Sequence, residues 1–246
     1  MSKDICIFKR MEKKYQLSRA QKDRLLNKVG AYLIPDTHGE STICSLYLDT
    51  PDYLLIRNSI DANVYKEKLR LRSYGTPTSE SQVFLELKKK YKGVVYKRRV
   101  AMSLEEAEAY LDSGKKPVDS QIMSEIDYAM NFYNHPRPAM FIAYEREAFY
   151  AKDYPELRLT FDYSVRYRDT GLLMEMGADG KKIIPNDAVL LEIKTDGSMP
   201  MWLAHALDEC EIHPVSFSKY GTAYQDVRNN HYQNTCKGEN KYVCNF

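Results

Sequence analysis

In the run Lys68-Leu69-Arg70-Leu71-Arg72, charged and apolar residues alternate without a break. A period of two marks a β-strand whose two faces meet different surroundings. The alternation returns in Val83–Lys90, Leu157–Tyr163 and Val189–Lys194. One face of each strand asks for a core. The other is mostly Arg and Lys with an occasional carboxylate, unlike the Thr, Ser and Gln mixture of an ordinary solvated face. Such strands side by side concentrate positive charge on one surface, which suits a polyanion. Alternation alone leaves two readings open. One is a solvated sheet face; the other is an enclosed lumen, where like charges are costly unless an anion fills it.

The net charge is only +2, from 36 basic and 34 acidic residues, so any strong field must come from segregation of charge. The first fourteen residues are too polar for a signal peptide, and no apolar run approaches a membrane span. The five cysteines are scattered without a CxxC pair. That pattern argues against a disulfide framework or zinc ribbon and for a reducing, cytoplasmic setting.

Short strands alternate with a few helices, and no linker divides the 246 residues, so one domain is expected. Strands are expected at Phe8–Tyr15, Ile43–Leu48, 64–73, 83–90, 94–102, 139–149, 157–168 and 188–195. Ser18 with Gln21, and Ser103 with Glu106, form capping boxes that start helices. The second of these should end at Gly114. Further helices are expected from Asp119 to Phe132 and, capped by Ser198, through Trp202 to Leu207. The polar chain after Asn229 is expected to be a flexible tail. Antiparallel connections and few helices give an α+β class. Within Lys97-Arg98-Arg99, alternation puts Lys97 and Arg99 on one face and Arg98 on the other. Lys89, Lys90 and Lys92, beside a hairpin turn, are expected to be solvated.

No P-loop, dinucleotide fingerprint, HExxH or nucleophilic triad is present, and the five histidines lack metal-ligand spacing. What remains is the equipment for phosphate and a divalent cation: Arg forks, Lys point charges and a few carboxylates. The tyrosines are scattered and form no stacking ladder, so nucleic acid is not the expected partner.

Tyr47-Leu48-Asp49-Thr50-Pro51-Asp52 is similar to the YFDTPD segment of the triphosphate tunnel metalloenzymes, the CYTH superfamily. Lys68–Arg72 followed by Tyr74-Gly75 resembles their basic strand. Lys13-Lys14-Tyr15, Leu191-Glu192-Ile193-Lys194 and Ser216-Phe217-Ser218-Lys219-Tyr220 resemble the VTC branch, the polyphosphate polymerase domain. The resemblance covers Phe8 to Tyr224. It implies an antiparallel β-barrel tunnel flanked by helices. It also implies transfer of the ATP γ-phosphoryl group to a growing polyphosphate chain, with release of ADP.

By that resemblance Arg70, Arg72, Lys88, Arg146 and Lys219 are the catalytic set. Lys14, Lys97, Arg99, Arg158, Lys194 and Ser218 bind substrate. Glu192, with Glu86 and Asp162, is the expected ligand set for Mn²⁺ or Mg²⁺. A membrane-embedded partner protein is also implied. The family's triphosphatases carry ExExK in the first strand, where this chain reads Arg10-Met11-Glu12-Lys13-Lys14. That departure leans toward the polymerase. A metal-dependent triphosphatase and a non-catalytic polyphosphate-binding module are the alternatives.

Overall fold

The computed structural model describes residues 11–239 apart from 38, 62, 63 and 93. The chain begins with β1 (Met11–Ser18), α1 (Arg19–Val29) and β2 (Leu33–Pro35). Next come β3 (Ser41–Asp49), α2 (Leu54–Asp61) and β4 (Tyr65–Tyr74). β5 (Gln82–Tyr91) and β6 (Val94–Ser103) form a hairpin, followed by α3 (Leu104–Ser113) and α4 (Gln121–Phe132). β7 (Arg137–Ala151), β8 (Arg158–Arg168), β9 (Lys181–Lys182) and β10 (Ala188–Thr195) precede α5 (Met201–Glu209) and α6 (Lys219–Glu239). Of the first expected strand, Phe8 to Arg10 lie outside the described residues.

All ladders are antiparallel, in the order β1-β10-β8-β7-β3-β4-β5-β6, with β2 beside β7 and β9 beside β8. The fold is therefore α+β, as expected. Leu69, Leu71, Leu85 and Leu87 are at most 1% exposed. Burying each contributes roughly 1.5–3 kcal/mol. A register slip of one residue would put Lys and Arg in their place, so the apolar alternation pins the ladder.

Both capping boxes form, and Gly114 ends α3 in the left-handed conformation at φ 71°. α3 and α4 cover one stretch of the outer sheet face, Met123, Ile126 and Met130 packing on Leu46, Leu69 and Phe141. α1 and α5 cover another, Leu25 and Leu203 packing on Phe161 and Leu191. Placing helices on the outer side leaves the charged alternate faces pointing inward.

The expected closed barrel needs correction. β1 and β6 are the two ends of the sheet, and among the described residues no ladder joins them. The free edge of β1 is taken by the segment after α5: Tyr15 bridges to Pro214, and Val215 N donates to the Lys14 carbonyl at 2.7 Å. Those backbone groups are thus unavailable to β6. The sheet nevertheless curls until Lys88 Nζ on β5 meets Glu12 Oε2 on β1 at 3.3 Å. The result is a tunnel with one non-ladder seam.

Two helical expectations also shift. α5 starts after Pro200 rather than at Ser198, because the residue before a proline resists the helical region. α6 was not anticipated at all. Its signal is present in Tyr220, Ala223, Tyr224 and Val227, an i, i+3, i+4, i+7 stripe that packs on Tyr47, Ile142 and Leu190 inside the curl. The helix runs to Glu239, across the stretch expected to form a tail. Among the described residues no helix is long and apolar enough to cross a membrane.

Candidate functional site

Alternation, curl and strand order together bring the even-numbered charges of β4, β5, β8 and β10 to one lumen, organised around three carboxylates. Glu86 is 1% exposed and has both oxygens occupied. Oε2 accepts from Arg70 Nε at 2.7 Å; Oε1 accepts from Arg99 Nε at 2.6 Å and meets Lys97 Nζ at 2.7 Å. Arg98 points the other way, to Glu125, as alternation requires.

Asp162 is equally buried and equally occupied. Arg146 grips it with a two-pronged pair at 2.6 and 2.7 Å, and Lys219 donates to Oδ2 at 2.6 Å. Burial alone would raise both carboxyls, but the surrounding cations hold them below the ordinary range. Glu86 and Asp162, expected as metal ligands, are here the acceptors of basic side chains, which they aim and partly neutralise.

Glu192 sits differently. Its direct partner is Lys194 at 2.6 Å. Burial would raise its pKa, but Lys194, Lys14, Lys219 and Arg146 hold it well below the carboxylate range. Across the β1–β10 ladder lies Glu12, which pairs with Lys14 and Lys88 at 3.3 Å each. Burial and Glu192 work against ionisation of Glu12, but Lys88, Lys14 and Lys194 outweigh them and hold its pKa below the ordinary value. Among the described residues no three His, Cys, Asp or Glu side chains gather to hold a metal. Glu192 and Glu12 do supply the hard carboxylate oxygens that Mg²⁺ and Mn²⁺ take.

Most of the expected residues share this lumen. Arg72 is buried and held by two hydroxyls, Ser45 at 3.3 Å and Tyr144 at 3.2 Å. Lys219 and Arg146 both lie over the Tyr144 ring, at 4.5 and 5.1 Å. Ser218 caps α6 by accepting from Gly221 N, which points the helix N-terminus at the cavity, and it accepts from Lys68 Nζ at 2.9 Å. Lys14 Nζ donates to the Phe217 carbonyl at 3.0 Å. Arg158 stands apart at the rim, 39% exposed and paired with Asp36 at 2.9 Å.

One mouth opens into a cavity of about 720 Å³ whose lining includes Glu12, Lys66, Lys68, Lys88, Lys90 and Lys92. Lys90 and Lys92 are exposed to solvent, as expected for hairpin residues, and they also line this mouth. Lys89 turns to the other face and pairs with Glu67 at 3.1 Å. The signal for Lys66, Lys68 and Lys90 was their even numbering, shared with Arg70 and Lys88.

Tyr47 also escaped the sequence reading. It accepts from Arg70 Nη1 at 3.2 Å and stacks on Tyr220 with centroids 4.5 Å apart. Burial would raise this phenol, but Arg70, Lys68 and Arg72 outweigh burial and bring it down to about 7. Burial lowers the Lys68 ammonium to about 8. As pH rises, Tyr47 gains a negative charge near 7 and Lys68 loses a positive one near 8, so both changes oppose an anion. Tripolyphosphate affinity, titrated calorimetrically at constant ionic strength, should therefore fall from pH 6.5 to 8.5. Tyr47→Phe should remove the part of the fall centred near 7; an unchanged profile would exclude Tyr47 as its source.

The VTC domain family matches residues 9–228. No curated protein matches the chain. Among solved structures, a candidate adenylate cyclase from Bacillus halodurans aligns with a TM-score of 0.51 at 15% identity, covering 84% of this chain and 92% of its own. A protein from Pyrococcus horikoshii aligns at TM-score 0.45 and 13% identity, covering 89% and 98%. The first likeness supports the fold. The family match spans nearly the whole chain, including all three carboxylate centres, and the chain belongs to the VTC domain family.

Proposed function

We propose that the protein transfers the γ-phosphoryl group of ATP to the end of a polyphosphate chain. The observation that carries this reading is the basic lumen itself: Arg146 and Lys219, aimed by Asp162, face Glu192 beside Lys14 and Lys194. In the proposed step a terminal polyphosphate oxygen attacks the γ-phosphorus. The bond from that phosphorus to the β–γ bridging oxygen breaks, and ADP leaves with the electron pair. Phosphoryl transfer asks the protein chiefly for alignment and for neutralisation of charge on the transferring oxygens. Arg146 suits the oxygens as a planar fork and Lys219 as a point charge. Arg70 and Arg72 are held in fixed orientations by Glu86, Tyr47, Ser45 and Tyr144, which removes reorganisation at the moment of transfer.

Glu192, with Glu12, would hold a divalent cation. One or two carboxylates plus substrate phosphates is the usual arrangement for Mg²⁺. Such an ion would supply positive charge against the negative charge that develops on transfer. The lysine-lined mouth provides mobile point charges along which a polyanion can pass without a fixed register. A cytoplasmic location and delivery of product to a membrane-embedded partner belong to the same reading.

Product analysis tests it. ATP with Mn²⁺ or Mg²⁺ should yield ADP and acid-insoluble phosphate in matching amounts. ADP with orthophosphate alone would replace transfer by hydrolysis, and absence of turnover with retained polyphosphate binding would leave a binding module.

A further inference from the structure

The two ends of the strands that line the lumen are chemically unlike. β4 and β5 carry Lys66 opposite Lys90 at one end and Tyr74 and Phe84 at the other. From Lys66 to Tyr74 is eight residues, about 26 Å at strand rise. Among the described residues the lysine mouth is lined by a single aromatic, Phe217. The opposite end is aromatic. Tyr74 is 55% exposed and meets Phe84 edge-on at 5.9 Å. Arg99 lies 4.1 Å over the Phe84 ring, and its charge favours ionisation of the Tyr74 phenol. Tyr150 is 36% exposed, with Arg158 4.9 Å over its ring, and it donates to Asp36 at 3.3 Å. Both phenols stand at the Ser41 end of β3: Ile43 pairs with Tyr74 on β4, and Ser41 pairs with Arg146 on β7, four residues before Tyr150. Arg158 Nε is buried without an acceptor among the described residues.

Exposed rings and guanidinium planes at the rim of a phosphate-binding lumen are a stacking platform. Every base offers a π-face to such a surface, and Arg adds cation–π attraction. Arg99 joins the two regions: it contacts both the rim rings and Glu86, the partner of Arg70. A ligand bearing a flat base at one end and phosphates at the other matches that order.

We propose that the Tyr74–Tyr150 rim is a nucleoside subsite, which takes the base of a nucleoside triphosphate while its phosphates run inward past Arg99. This rests on the phosphoryl-transfer reading and gives the lumen a direction. Nucleotide enters at the aromatic end, and the growing polyanion occupies the lysine mouth.

The test compares ATP with tripolyphosphate, which has the phosphates without the base. Binding is measured by calorimetry without divalent cation, so that neither probe is turned over. Tyr74→Ala and Tyr150→Ala should each weaken ATP about tenfold, equivalent to roughly 1.4 kcal/mol, while tripolyphosphate changes less than twofold. Tyr150→Phe keeps the ring and should bind ATP as the wild type does. Equal weakening of both probes, or no weakening of ATP, would overturn the subsite alone. Failure of the wild-type protein to bind either probe would overturn the phosphate lumen, and the subsite with it.

Discussion

Asp162→Asn is expected to lower the unfolding free energy by about 3 kcal/mol in the absence of ligand. The carboxylate is 1% exposed, and its partners Arg146 and Lys219 are only 15% and 16% exposed, so little solvent can replace it. Removing one member of a buried ionic group leaves the other charges uncompensated, which costs about 3–5 kcal/mol; the partial exposure of the cations points to the lower end. For a chain of this size that corresponds to a melting temperature lower by roughly 6–12 °C. Tripolyphosphate should restore more stability to the variant than to the wild type, because the bound anion supplies the missing counter-charge. An unchanged melting temperature would mean that Asp162 does not set the charge balance of this centre. The wild-type carboxylate has its pKa depressed in the folded state. Its stabilisation is therefore present above the ordinary Asp range and disappears as pH falls through the folded value.

Glu192→Gln should act on turnover rather than folding. Loss of one preorganised electrostatic element typically costs about 10²–10³ in rate, and the metal-binding role proposed for Glu192 puts it in that class. Binding should move the opposite way. Glu192 opposes an incoming anion while Lys14, Lys194, Lys219 and Arg146 surround it. Metal-free tripolyphosphate should therefore bind the variant at least as tightly as the wild type. Turnover unchanged, measured as ADP release at saturating Mn²⁺, would remove Glu192 from the reaction. Weaker metal-free binding would mean that Glu192 arranges the lysines instead.

Much of this molecule is written locally. The alternation in Lys68–Arg72 fixes which side chains face the lumen, because a strand turns by half at each residue whatever surrounds it. The same rule separates Lys97 and Arg99 from Arg98, and Ser18 and Ser103 cap their helices with the glutamine and glutamate three residues on. What local pattern lacks is lateral order and curvature. The family resemblance offers Glu86 and Asp162 as metal ligands, and no local pattern names the cations around them. Strand pairing sets Glu86 between Arg70 and Arg99, and Asp162 against Arg146, with Lys219 arriving from α6. The lysine mouth and the open seam escape the sequence for a related reason. Both depend on how far the sheet curls and on the segment at 214–218 that occupies the β1 edge. Periodicity determined the charge of each face; only the packed sheet decided which charges meet.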